Sequence, residues 1–250
     1  AGRMGAELLR IVREDRDARF VAGTVRTHGP ARELSSRLAV PVDDTLEAAL
    51  ARGADVVVDF TSPEATVSHA RICTAKGTPL VVGTTGLSPD DRGAIEEAAA
   101  RIPIVLSPNM SVGMNLLFRV VAEAGSALSD FDAEIVEIHH RHKKDAPSGS
   151  ALRLARSIAE GRGDGSSGEL VHGRHGQTGE RQAGPIGMHA LRGGDVAGDH
   201  TVFFLGPGER LELTHRASSR AAFAAGAVRA ARWVAGKAPG LYSMQDVLGT

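Results

Sequence analysis

The chain has 250 residues, 42% hydrophobic and 24% charged, which is enough apolar material for a sizeable core and too much for a disordered segment. Lys and Arg total 29 against 30 Asp and Glu, a net charge of -1, and aromatic residues are 4%, so neither bulk attraction to nucleic acid or anionic membrane nor base stacking is favoured. The single cysteine, Cys73, excludes an intramolecular disulfide and fits a reducing cytoplasm, and no apolar run approaches the roughly 20 residues that span a bilayer.

Gly2-Arg3-Met4-Gly5 leads directly into a helix on which Leu8, Leu9, Ile11 and Val12 share a face. A glycine-punctuated turn passing straight into a helix predicts a Val/Ile-rich strand and a further glycine upstream of Ala1. Residues 19–25 read as a short strand, 43–52 as a helix capped by Asp43 or Asp44, and 54–60 as a strand buried on both faces. Pro63 takes the first position of a helix that reaches Lys76 and Gly77. Residues 79–83 form a second buried strand, Ser88-Pro89-Asp90-Asp91 opens another helix, and 102–106 is a further strand. Strands alternating with helices of this length predict βαβ units and a parallel sheet, the α/β class.

Around residue 130 the texture changes. A helix over 111–128 precedes Glu134-Ile135-Val136-Glu137-Ile138, in which polar and apolar residues alternate. A helix over 148–160, a Gly/Ser/Asp-rich surface loop over 161–168 and strands at 185–191, 196–205 and 210–215 follow. In the last of these, Leu211, Leu213 and His215 share a face. These elements predict an α+β insert with a mixed or antiparallel sheet, after which a helix over 221–235 carries Phe223, Ala227, Ala230 and Val234 on one stripe.

Several groups have chemical potential. The glycines of Gly2-Arg3-Met4-Gly5 would let a backbone approach a pyrophosphate, with the first helical N–H groups binding the anion; an ordinary turn reads the same way. Gly83-Thr84-Thr85-Gly86 and Ser107-Pro108-Asn109-Met110-Ser111 leave strand carboxyl ends, where open α/β sheets bind ligands, although plain strand-to-helix turns also look like this. His139-His140-Arg141-His142-Lys143-Lys144 concentrates three imidazoles and three cations. An anionic-substrate site, a solvated basic strand end and a metal site are the three readings; no Cys or carboxylate stands at a familiar ligand spacing, which disfavours metal. Just downstream, Ser148 reads as a helix cap, and the first N–H groups at Gly149 and Ser150 form a cradle for a carboxylate. Beside the cationic cluster, binding of a small di-anion is the better account than a plain cap. Cys73 reads as a buried small hydrophobe, and Trp233 and Tyr242 as packing residues.

The string Glu137-Ile138-His139-His140-Arg141-His142-Lys143-Lys144-Asp145-Ala146-Pro147-Ser148-Gly149-Ser150-Ala151 resembles the central motif of the 4-hydroxy-tetrahydrodipicolinate reductase (dihydrodipicolinate reductase) family. Gly2-Arg3-Met4-Gly5, Asp59-Phe60-Thr61-Ser62-Pro63-Glu64, Val82-Gly83-Thr84-Thr85-Gly86, Pro108-Asn109-Met110-Ser111-Val112-Gly113, Gly193-Gly194-Asp195, Gly198-Asp199-His200 and Ala217-Ser218-Ser219-Arg220 match in order, so the resemblance spans essentially the whole chain. It implies a cytoplasmic homotetramer that reduces a small cyclic dicarboxylate with NADPH or NADH in diaminopimelate and lysine synthesis, without metal, nucleic acid or membrane. Residues 1–110 and 221–250 would form a Rossmann-like dinucleotide domain, and 111–220 a substrate and tetramerisation domain. His139 would be the catalytic proton donor, Lys143 a second donor and carboxylate partner, and His140 a substrate contact. Ser148, Gly149 and Ser150 would grip a carboxylate, with Ser150 standing where the family usually has Thr. Gly2, Arg3, Met4, Gly83, Thr84, Thr85, Ser107, Pro108, Asn109 and Met110 would lie against the cofactor.

Two departures from the family pattern stand out. Its first strand and leading glycine have no counterpart in residues 1–250. The acid often found at the end of the second strand is replaced by Val25, followed by Arg26, with His28 and Arg32 nearby. Val25 cannot accept from a ribose hydroxyl and Arg26 can pair with a 2′-phosphate, which predicts that NADPH serves at least as well as NADH. Two rival readings are a dehydrogenase acting on an amino acid such as aspartate and a non-catalytic dinucleotide sensor. The His139/Lys143/Pro-Ser-Gly string disfavours both.

Overall fold

In the computed structural model, which describes residues 2–25, 31–163 and 169–249 (the side chain of Arg32 excepted), the opening helix α1 (Arg3–Glu14) starts directly after Gly2. It buries Leu8 and Leu9, with Ile11 and Val12 half-buried beside them. The segment expected as a strand over 19–25 is regular only at β1 (Gly23–Thr24). After α2 (Ala31–Leu38) comes β2 (Val42–Asp43), which pairs with β1 in parallel as a separate two-stranded sheet. Helix α3 (Leu46–Leu50) is shorter than the 43–52 expected, and its cap is Thr45, which accepts from the Ala48 N–H at 3.2 Å. Asp43 is unavailable as a cap because it lies in β2 and takes both nitrogens of the Arg52 fork at 2.7 and 2.9 Å.

The next elements follow the sequence, except that the strand expected over 54–60 as buried on both faces is regular only over 57–59, where Val57 and Val58 are half-buried. Strand β3 (Val57–Asp59) feeds α4 (Pro63–Lys76), which begins with Ser62 as cap and Pro63 in the first turn and ends at Gly77 with φ 66. Strand β4 (Leu80–Val82) leads to α5 (Pro89–Ala99), opened by a reciprocal Ser88–Asp91 capping box, and then to β5 (Pro103–Leu106). β3, β4 and β5 are parallel neighbours. Alternate residues of this buried sheet serve two cores: Leu80, Val82 and Ile104 pack with Cys73 and Ile95, while Val81 and Val105 pack with Leu8, Ala227 and Val234.

The chain divides into two compact units, Ala1–Val112 with Arg220–Thr250, and Gly113–Ser219. The second contains most of α6 (Val112–Ala127), then β6 (Asp132–His139), α7 (Gly149–Arg162), β7 (Leu170–His172), β8 (Ile186–Arg192), β9 (Gly198–Gly206) and β10 (Glu209–Ala217). Its sheet runs β10-β9-β6-β8-β7, antiparallel from β10 to β6 and parallel from β6 to β7. Phe118 and Val121 of α6 and Leu154 and Ile158 of α7 pack on Ile135, Met188, Val202 and Phe204. Gly161, expected in a loop, belongs to α7: a Cβ there would stand 2.1 Å from the Ala122 carbonyl oxygen, so close helix packing requires glycine. Arg162 closes the helix and Gly163 caps it at φ 77, while residues 164–168 of that expected loop lie outside the described residues.

The chain returns to the first unit with α8 (Ala221–Val234), β11 (Gly240–Tyr242) and α9 (Met244–Leu248). Strand β11 joins β5 in parallel, giving the order β11-β5-β4-β3. A parallel sheet flanked by helices and a separate mixed sheet make up the α/β architecture that the alternation predicted. No helix among the described residues is long and apolar enough to cross a membrane.

Candidate active site

In the first unit, parallel pairing brings the predicted cofactor loops side by side. Val82 and Leu106 are register partners, and the Ser107 N–H donates to the Val82 carbonyl at 3.1 Å, so Gly83-Thr84-Thr85 and Ser107-Pro108-Asn109-Met110 leave neighbouring strand ends. Thr84 is buried; its hydroxyl oxygen accepts from the Thr66 hydroxyl at 2.9 Å and the Thr61 N–H at 3.0 Å. Thr85 and Pro108 are exposed at the loop surface. The Ser107 hydroxyl donates to the Asn109 carbonyl at 2.7 Å, and the Asn109 side chain accepts from the Ser111 N–H at 2.9 Å, which fixes the loop from within. Met110 is buried, and Met4 of α1 packs into the same cluster.

These residues fit an anionic dinucleotide. Gly83 is buried, and a Cβ on it would meet the Phe60 ring at 2.2 Å, so the strand exit admits backbone only. Helix α1 has Gly2 at its start with no side-chain cap, no acidic residue in its first turn and an exposed Arg3. Its opening N–H groups are therefore available to a phosphate. Val25 is half-buried just past β1; Arg26 and His28 lie outside the described residues, as does the side chain of Arg32.

In the second unit, the site grows from β6. Its even pleat puts Ala133, Ile135, Glu137 and His139 on the covered face, so a carboxylate and an imidazole continue the apolar row. Glu137 is fully buried and every oxygen is engaged. Oε2 lies 2.5 Å from His139 Nδ1, Arg192 of β8 donates to both oxygens at 2.7 Å, and the Ser148 N–H donates to Oε1 at 3.0 Å. Burial alone would raise this carboxyl, but the Arg192 and His139 bonds outweigh it and hold it below its ordinary value. Burial also pushes His139 down, against the pull of Glu137. The ring is therefore neutral near pH 7, with its proton on Nδ1 toward Glu137 and a lone pair on Nε2.

Ser148 joins this cluster to α7. Its hydroxyl caps the helix by accepting from the Ala151 N–H at 3.2 Å and pairs with His200 Nε2 at 3.0 Å. His200 of β9 is buried, and desolvation above all pushes it to about 3, so it is a neutral partner. The His139 and His200 rings meet edge to face at 5.2 Å. Gly149 is exposed and Ser150 half-buried in a first turn without acidic residues. Lys143 sits 2.9 Å from Asp145, an exposed carboxylate held below its ordinary value by that bond.

The structure thus brings His139 and Ser148 together around Glu137 and splits the rest of the cationic cluster. His140 is half-buried, with its N–H on the Val196 carbonyl and its ring 6.2 Å from that of the exposed His142. Among the described residues no three His, Cys, Asp or Glu side chains stand ready to hold a metal. Glu137, Arg192 and His200 were not singled out from the sequence. For Glu137 a signal existed, since residues two apart on a strand share a face; Arg192 is 55 positions away and left none.

Comparison with known proteins places this arrangement in a class. A probable dehydrogenase from Thermotoga maritima shares the fold, with a TM-score of 0.63 at 13% identity over 98% of this chain and 90% of that one. The architecture is that of a Rossmann-type parallel-sheet unit with a second, mixed-sheet unit. More narrowly, the chain belongs to the dihydrodipicolinate reductase family: the family's N-terminal model matches residues 1–110 and its C-terminal model residues 113–248. The 4-hydroxy-tetrahydrodipicolinate reductase of Myxococcus xanthus is 55% identical, with 99% of this chain and 94% of the relative covered. That of Anaeromyxobacter dehalogenans is 51% identical, covering 100% and 95%. A dipicolinate-bound dihydrodipicolinate reductase from a Paenisporosarcina species superposes with a TM-score of 0.75 at 26% identity, over 98% of this chain and 95% of that one.

Proposed function

We propose that the chain catalyses NAD(P)H-dependent reduction of 4-hydroxy-tetrahydrodipicolinate to tetrahydrodipicolinate, a cytoplasmic step of diaminopimelate and lysine synthesis. The observation that carries this is the buried Glu137–His139 pair beside the Ser148 start of α7, in a chain whose relatives bear that enzyme's name. Residues 1–110 with 221–250 are the dinucleotide domain, and 111–220 the substrate and oligomerisation domain. Gly2, Arg3, Met4, Gly83, Thr84, Thr85, Ser107, Pro108, Asn109 and Met110 hold the cofactor. When bound, the reduced nicotinamide supplies the hydride.

The chain's own residues bind the dicarboxylate, orient it and move the proton. One carboxylate accepts from the backbone at Ser148, Gly149 and Ser150, where the α7 dipole favours negative charge. Lys143 meets carboxylate charge as well; its present partner, Asp145, is exposed, so exchanging one carboxylate for another costs little. His140 supplies a further substrate contact. His139 lacks a proton on Nε2 in the ligand-free protein, and the incoming di-anion favours its charged form. His139 therefore takes up its second proton with the substrate and gives it up from Nε2 as negative charge develops, with Lys143 as a second donor; one hydride and one proton enter and the 4-hydroxyl leaves as water, which balances the conversion.

Val25 offers no acceptor for a ribose hydroxyl, which supports NADPH use at least equal to NADH. The open face of the mixed sheet carries half-buried Val136, Ile138, Phe203 and Leu205 and an exposed Leu191, which supports assembly into a homotetramer through that sheet. An aspartate dehydrogenase and a non-catalytic sensor are both disfavoured by a proton donor and a dicarboxylate cradle in place together.

Binding of pyridine-2,6-dicarboxylate by calorimetry, with turnover of the wild type and of His139→Gln, tests the assignment. The wild type should bind the dicarboxylate, and His139→Gln should lose about 10²-fold or more in turnover. No binding by the wild type, or full turnover by the variant, would overturn it.

A further inference from the structure

We propose that Glu137 is a positioning residue that sets the tautomer and orientation of His139 and, through the same carboxylate, ties that ring to the start of α7. The proposal rests on His139 being the proton donor and adds what places it. A fully buried carboxylate needs donors, and this one has four: His139 Nδ1, both terminal nitrogens of Arg192, and the Ser148 N–H. Arg192 accounts for the charge. Its fork neutralises Glu137 in a bidentate pair, and one of its nitrogens also reaches the Asp145 carbonyl at 2.7 Å, anchoring the Lys143-to-Ser148 loop. Two of Glu137's contacts remain unexplained by mere neutralisation of Arg192. They fall on the candidate proton donor and on the residue that opens the carboxylate cradle.

The consequence for His139 follows from the two-nitrogen ring. With Nδ1–H committed to Glu137, Nε2 is the only position that can take up and return a proton. Nε2 faces Gly198, where a Cβ would stand only 3.0 Å away, so the backbone of β9 leaves that nitrogen uncrowded. The groups facing the ring are Glu137 on β6, Arg192 on β8, His200 on β9 and Lys143 on the following loop. Glu137 is the one acid among them, and it therefore stabilises the imidazolium that the reaction requires, as a carboxylate does for the histidine of a hydrolase triad. Because Oε1 simultaneously holds the Ser148 N–H, a shift of this carboxylate moves proton donor and cradle together.

Glu137→Gln keeps the shape and removes the charge. It should lower kcat by about 10²-fold or more and shift the high-pH limb of the kcat profile toward acid by about one unit or more. Added to His139→Gln it should cost almost nothing further, because both changes interrupt one function. A merely structural Glu137 would leave the pH limb in place and its losses would multiply with those of His139→Gln. If His139→Gln retains turnover within about threefold, the proton-donor reading fails. If His139→Gln collapses while Glu137→Gln keeps the wild-type rate and profile, the positioning proposal fails and the donor reading stands. Nitrogen-15 NMR of wild-type His139 at about pH 8 decides the point even where the variant does not fold: Nδ1–H with unprotonated Nε2 is expected, and the opposite tautomer overturns the proposal.

Discussion

Glu134→Gln measures how strongly the mixed sheet is held on the face opposite the Glu137–His139 network. Glu134 meets Arg174 at 2.9 Å, Arg181 at 3.0 Å and His189 at 2.8 Å, and its side chain is 12% exposed. Burial pushes the carboxyl up, yet the Arg174, His189 and Arg181 bonds hold it at about 2 against an ordinary 4.5. At about 1.4 kcal/mol per pKa unit, the ionised group contributes about 3 kcal/mol of stability. Arg174 is 34% exposed and water can replace part of its bond, so about 2–3 kcal/mol is the expected loss on substitution. The folded value lies below the unfolded one, so this contribution is complete above about pH 5 and fades as pH falls toward 2. Urea unfolding of both proteins at fixed concentration, from neutral to acid pH, tests the reasoning. The gap should be widest at neutral pH and narrow steadily below about pH 5. A gap under about 0.5 kcal/mol at neutral pH, or one that does not narrow in acid, would refute it.

Lys143→Ala should lower turnover by about 10²-fold or more while leaving NADPH affinity by fluorescence titration unchanged; wild-type turnover would show that Lys143 has no part in the chemistry. Gly226→Ala places a methyl 1.7 Å from the Met110 carbonyl oxygen, so α8 must shift against the Ser107-to-Ser111 loop. It should cost about 1–3 kcal/mol in thermal unfolding and weaken cofactor binding, and an unchanged Tm would contradict that packing. Without an acid at Val25, kcat/KM with NADPH should equal or exceed that with NADH; a preference for NADH of about tenfold, or about 1.4 kcal/mol, would overturn the reasoning.

The elements legible in the sequence are those whose boundaries are chemical. Ser62-Pro63 and Gly77 bracket α4, Ser88 with Asp91 opens α5, and the apolar runs of β4 and β5 have one reading because both faces are buried. Elements held mainly by long-range contacts were not legible. Among the described residues β2 pairs only with β1, β7 only with β8 and β11 only with β5, and the strand expected over 19–25 keeps only the two residues of β1 that pair with β2. Asp43 looked like a helix cap because its pairing with Arg52 has no local signature.

The candidate site divides in the same way. His139 and Ser148 stand in one short string, whose cap and strand end were readable. The polar-apolar alternation of residues 134–138 misplaced one residue in physical terms: Glu137 shares the buried face with Ile135, because Arg192 and His139 compensate its charge there. That compensation arrives from β8 and could be seen only in the folded sheet. The expectation of NADPH use was read from Val25 and Arg26, and Arg26 lies outside the described residues.

The most direct measurement is oxidation of NADPH and of NADH by the purified protein, followed by nicotinamide absorbance before and after adding 4-hydroxy-tetrahydrodipicolinate, with the product identified by mass. Rapid oxidation that depends on the substrate and yields tetrahydrodipicolinate is the expected result. A protein that binds NADPH yet leaves it reduced in the presence of that substrate would contradict the assigned reaction.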